Sequence, residues 1–194
     1  MVARSRARTF LAPPSAGSAL MRVARALLFG LLVASVPSPA RAKLEHEVKA
    51  AYLFKFLSYV EWPLSALGDE RAPIVIGVLG AEEVRAALQE VVSHREAQGH
   101  RIEVREVTPE ESPTATHVLF VGNSAATELP KVAGRPGVLL VTEFEGALEE
   151  GAMINLVRVG DRIRFEVAPE TARRKGLHIS SRVLALAHFV KSGD

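Results

Sequence analysis

The sequence predicts a three-layered α/β domain: a mainly parallel sheet with flanking helices, and an antiparallel hairpin near the C-terminus. Three observations point to it. Residues 74–79, 116–121 and 137–141 are short unbroken apolar runs, as strands covered on both faces require. Stretches of helical spacing lie between such runs, the alternation from which parallel sheets are wound. Two later runs, 153–159 and 162–167, flank Gly160-Asp161, a two-residue hairpin turn.

Taken in order, the elements begin after an export leader. Residues 1–42 carry six Arg and no acid. Arg22 and Arg25 precede an eleven-residue apolar stretch, 26–36, and Ala40-Arg41-Ala42 supplies a small-residue cleavage site. Eleven residues are too few to span a bilayer, which takes about 20. The expected signal peptide is therefore 1–42, with Met21 an alternative start, and 43–194 is one exported, periplasmic domain. Residues 43–59 have helical spacing in Val48, Ala51, Tyr52, Phe56 and Tyr59, and Pro63 forbids continuation. The strand 74–79 turns at Gly80 into an amphipathic helix, 81–92, with Glu82 and Glu83 in its first turn. Residues 100–107 alternate as a half-exposed strand does. After the strand 116–121, Gly122-Asn123-Ser124 leads to a short helix towards Leu129, and the strand 137–141 to an acidic, solvated loop, 142–151. Pro169 opens a helical turn that Gly176 ends. Ser180 is placed to cap a last helix reaching about Val190.

Charge and composition exclude several classes. With 48% apolar and 24% charged residues the chain is globular, not disordered. Removing the six leader arginines from 24 Lys+Arg leaves 18 against 22 Asp+Glu, a net charge of −4. A nucleic-acid binder needs the opposite balance. The absence of Cys removes thiol switches and Cys-based metal sites. The six His show no metal-ligand spacing, and no metal or cofactor is expected. Gly77-Val-Leu-Gly80 lacks the spacing of a dinucleotide fingerprint. Gly122-Asn-Ser124-Ala-Ala126 outlines a nucleophile elbow, with Asp161 and His178 following in hydrolase order. A plain helix start at Ser124 explains the same residues, and no catalytic residue is assigned.

The hairpin is the most informative segment. A two-residue turn makes Val159 face Arg162, Val157 face Arg164, and Asn155 face Glu166. Alternation then puts Ile154, Leu156, Ile163, Phe165 and Val167 in the core. Asn155, Arg162, Arg164 and Glu166 share the other face, either as a solvated surface or as a polar recognition strip beside Ser180-Ser181-Arg182.

Together these residues resemble the YfiR/HmsC-like family of exported bacterial proteins. The resemblance rests on the block from Val48 to Pro63 with Ile74-Val-Ile-Gly-Val-Leu-Gly80, on Val118–Gly122, on Gly151-Ala-Met-Ile-Asn-Leu156 with Arg162-Ile-Arg-Phe-Glu-Val167, and on Gly176-Leu-His-Ile-Ser-Ser-Arg-Val-Leu184. It implies a periplasmic protein that is not an enzyme and that represses a membrane-bound diguanylate cyclase by binding its periplasmic sensor domain, lowering cyclic-di-GMP. It also implies homodimers, and a disulfide-based control that a Cys-free chain cannot share. Asn155, Arg164, Glu166, Ser180, Ser181 and Arg182 are the expected partner contacts. The alternative is a small-ligand sensor module serving another membrane receptor, such as a histidine kinase, with its ligand in the crevice beyond Leu79-Gly80 and Gly122-Asn123.

Overall fold

The structure, a computed structural model, describes residues 39–69, 72–110 and 116–193. The predicted leader, apart from its last four residues, lies outside them. Helix α1 (Pro39–Phe56) leads to a two-residue strand β1 (Val60–Glu61) and a single helical turn α2 (Leu64–Leu67). Strand β2 (Ile74–Leu79) is buried along its whole length and precedes α3 (Glu82–Val92). Strands β3 (Glu96–Ala97) and β4 (His100–Glu106) form one edge. Then come β5 (Val118–Val121), a 3-10 helix over Asn123–Glu128, α4 (Leu129–Val132) and β6 (Leu139–Thr142). The hairpin is β7 (Ile154–Val159) and β8 (Arg162–Val167). Helix α5 (Pro169–Arg174), β9 (His178–Ile179), α6 (Ser181–Leu186) and β10 (Phe189–Val190) close the chain. Among the described residues no helix is long and apolar enough to cross a membrane.

The main sheet runs β10-β8-β7-β6-β5-β2-β4-β3, and β1 pairs with β9 in a separate antiparallel ribbon. β7, β6, β5, β2 and β4 run parallel to one another, while β8 is antiparallel to β7. The three layers and the hairpin are those the sequence predicts, down to the register Val159–Arg162, Val157–Arg164 and Asn155–Glu166. One face packs Ala50, Leu53, Phe56 and Leu57 of α1, and Val84 and Leu88 of α3, on Ile76, Phe120, Val141, Leu156 and Phe165. The other packs Leu119, Val121 and Leu140 under Leu129, Val132 and Leu148. Burying such strands on both sides removes them from water at roughly 25 cal/mol per Å² of apolar surface.

Four expectations need correction. α1 stops at Phe56, and Val60-Glu61 becomes a strand because Ile179 and His178 arrive to pair with it. The last helix ends at Leu186, not near Val190, since Ala187 turns extended and Phe189-Val190 adds a parallel strand to β8. Ser180 holds the N-cap position but makes no capping bond, and its buried Oγ has no hydrogen-bond partner. The acidic loop is not wholly solvated: Glu143 is drawn in by Lys49 at 2.7 Å.

Candidate partner-binding groove

An open apolar groove of about 570 Å³ lies between α1, β8 and α6. Its floor is aromatic. Tyr52 and Phe56, one helical turn apart, stack with centroids 6.0 Å apart, and both meet the edge of Phe165 at 5.4 Å. Phe165 faces them because strand alternation directs Ile163, Phe165 and Val167 to the α1 side. The Tyr52 hydroxyl donates to the Ile163 carbonyl at 3.3 Å, which fixes the ring against the hairpin. Tyr59, Val183, Ala185 and Leu186 complete the walls, with Lys55 and Arg182 at the rim. No carboxylate lines it, so its charge is wholly positive. Leu186, the last residue of α6, is 68% exposed, and Phe189, on the short edge strand β10, is 51% exposed.

The expected contact residues divide between two faces. Asn155 is only 2% exposed; it accepts a hydrogen bond from Thr142 Oγ1 at 2.9 Å and its Nδ2 reaches Glu166 Oε2 at 3.4 Å. It therefore positions Glu166 from beneath. Glu166 alternates with Phe165, so it points away from α6, whose Val183 packs in the same core as Phe165. The polar strip and the Ser180-Ser181-Arg182 turn are thus not side by side but back to back across the sheet. The β8–β10 edge joins them, since Glu166 pairs in register with the exposed Phe189. Arg164 borders a second hollow, of about 290 Å³, with Leu44, Glu45, Tyr52 and Arg158. Arg182 stands at the groove itself, Ser181 is exposed beside it, and α6, at six residues, is too short to offer an anion site.

Sequence reasoning placed Phe165 in the core, where it lies with Phe56, but did not foresee the groove above these rings. A signal was present: aromatics at 52 and 56 on α1 and at 59 just after it carry more ring surface than one helix stripe buries, and the apolar Leu186 and Phe189 follow near the C-terminus.

The crevice at the ends of β2 and β5 is closed by the chain itself. Ser124 Oγ donates to the Gly80 carbonyl at 2.6 Å. A Cβ on Gly80 would come within 2.5 Å of the Ala125 Cβ, and one on Gly122 within 2.3 Å of the Gly80 oxygen. Ser124 is thereby engaged at the carboxyl ends of the parallel strands. His178, on the β1–β9 ribbon, follows α5 at the opposite ends, and the two do not meet. Above the same crevice Lys49 bridges Glu45 and Glu143, each at 2.7 Å, and Glu45 also pairs with Arg158. Glu143 further accepts the Asn123 N–H at 3.0 Å. Among the described residues no group of three or more His, Asp or Glu is arranged to hold a metal.

The developed surface of this domain is thus an apolar groove beside α6, and its strand-end crevice is sealed. The profile of the YfiR/HmsC-like family (DUF4154) matches residues 46–188, and the chain belongs to that family. No curated protein matches the chain. Two solved structures are similar to it at 15% identity. One is the ABC domain in complex with L-Trp from Streptococcus pneumonia, with a TM-score of 0.43, covering 61% of this chain and 55% of that one. The other is a conserved domain protein from Vibrio cholerae O1 biovar eltor, with a TM-score of 0.45, covering 75% of this chain and 60% of that one. The chain thus spans little more than half the length of either.

Proposed function

We propose that this protein is a periplasmic regulator that represses a membrane-bound diguanylate cyclase by docking on its periplasmic sensor domain. The observation that carries the reading is membership of the YfiR/HmsC-like family over 46–188, a span that includes both walls of the groove. The basic, acid-free leader with its Ala40-Arg41-Ala42 site supports export, with cleavage after Ala42. In this reading the partner straddles the β8–β10 edge. An apolar protrusion enters the groove against Tyr52, Phe165 and Leu186, acidic residues beside it meet Lys55 and Arg182, and Arg164 and Glu166 are touched from the other face. Buried aromatic pockets of this type concentrate binding energy in a few anchors. Deleting the gene and measuring cyclic-di-GMP is the test: a rise supports repression, and an unchanged level rejects it.

A further inference from the structure

His117, just before β5, is buried and uses both ring nitrogens. Its Nδ1 accepts the Val75 N–H at 3.0 Å, and its Nε2 donates to the Ala66 carbonyl at 3.0 Å. An imidazole that accepts at Nδ1 is neutral, since imidazolium has two donors and no acceptor. The clamp between β2 and α2 therefore exists in one protonation state. The His117 carbonyl accepts Trp62 Nε1 at 3.3 Å and the Leu139 N–H at 2.8 Å, so the 62–66 segment, β2 and β6 all converge on this residue. The titratable group facing it is His100, whose Nδ1 bonds the Ala72 carbonyl at 2.8 Å, the other end of the same connection. Burial pushes the His117 pKa below 6.5, the Ala66 hydrogen bond opposes this, and the nearby His100 adds to it.

What the clamp holds leads directly to the groove. Trp62 follows β1, β1 is laddered to β9, and the Ser180 N–H that begins α6 donates to the Tyr59 carbonyl at 2.9 Å. Tyr59 and α6 are groove walls. We propose that His117 is an acid-operated latch: a proton at Nδ1 turns the acceptor into a donor facing the Val75 N–H, the charged ring is driven from its seat and withdraws its Nε2–H from the Ala66 carbonyl, and the loosened 62–66 segment relaxes the β1–β9 ribbon that seats α6, so that the groove loses a wall in acid. The regulatory meaning rests on the groove being the docking face; the latch itself is tested without any partner.

Amide hydrogen exchange of Val75 and Ser180 is to be compared at about pH 7.5, above the ordinary imidazole pKa of about 6.5, and at an acid pH where the nitrogen shifts of the wild-type ring show His117 protonated, after correction for intrinsic exchange. In the unaltered protein, protection of both amides is expected to fall about tenfold or more in acid, the loss expected when a buried donor is left unsatisfied. Emission from Trp62, the single tryptophan, should move to the red with it. His117→Gln keeps a donor for Ala66 but cannot titrate, and should show equal protection at both pH values, whereas His100→Gln should keep the response. Nitrogen NMR of the wild-type ring decides the matter if the Gln variant does not fold, a neutral Nε2–H tautomer at pH 7.5 being required. Equal wild-type protection at both pH values, the same fall in His117→Gln, or an Nδ1–H tautomer overturns the latch. A pH-independent Val75 amide leaves the docking groove standing, just as loss of the groove's function leaves the latch standing.

Discussion

Lys49 shows how a single side chain joins distant parts of this molecule. It is nearly buried, and it is the only described cation between Glu45 and Glu143, which belong to α1 and to the loop after β6. Lys49→Met preserves most of the packing but takes from Glu143 its described cation and leaves Glu45 to Arg158 alone. Breaking one side of such a pair costs about 3 kcal/mol, visible as a lower urea midpoint with the slope unchanged. Titration of His117 supplies a second expectation at this scale. Its folded pKa lies below 6.5, so the unfolded chain takes up a proton first as pH falls. The stability that neutral His117 provides is intact above about 6.5, declines between that value and the lower folded pKa, and levels off beneath it. Thermal melts across this range check the sign: a midpoint that rises from pH 7 to pH 5.5 contradicts it, and His117→Gln should flatten the profile there.

At the level of elements, the hairpin carries the clearest structural test. Phe165→Ala removes the ring against which Tyr52 and Phe56 pack and should cost about 3–5 kcal/mol, read by chemical denaturation. This hairpin was legible in the sequence because Gly160-Asp161 fixes its register locally and alternation sorts its faces. The buried strands were legible for the same kind of reason: Ile74–Leu79 needs no partner to be recognised as strand. By contrast β1, β9 and β10 are two residues each, and nothing in Val60-Glu61 or Phe189-Val190 distinguishes them from loop. Only pairing with residues far along the chain makes them strands, which local pattern cannot foresee. Of the site, Glu166, Arg164 and Arg182 were visible as polar positions on known faces. The groove was not, because whether Tyr52 is covered depends on where α6 stops, and Ala187 decides that by turning extended.

Across the whole molecule, the two faces of the β8–β10 edge make separable predictions. Leu186→Glu places a charge on a residue already 68% exposed, so melting should be unchanged within about 0.5 kcal/mol while partner binding is lost. Glu166→Ala should weaken binding about tenfold or more if a desolvated charge contact is made there, and pull-down with a cyclase sensor domain compares the two variants directly. A Leu186→Glu protein that still represses cyclic-di-GMP would remove the groove from the docking surface. The wiring of the fold also bears on how the chain reaches its native state. Tyr52 on the first helix bonds Ile163, 111 residues later, and Val60 pairs with Ile179. A chain crossing a membrane N-terminus first would deliver α1 long before the strands that cover it, and closing so large a loop is slow. In such a chain the aromatic face of α1 would stay bare until the final third arrived, so that the newly delivered protein would be a client for chaperones and any version cut short before Phe165 a substrate for proteases.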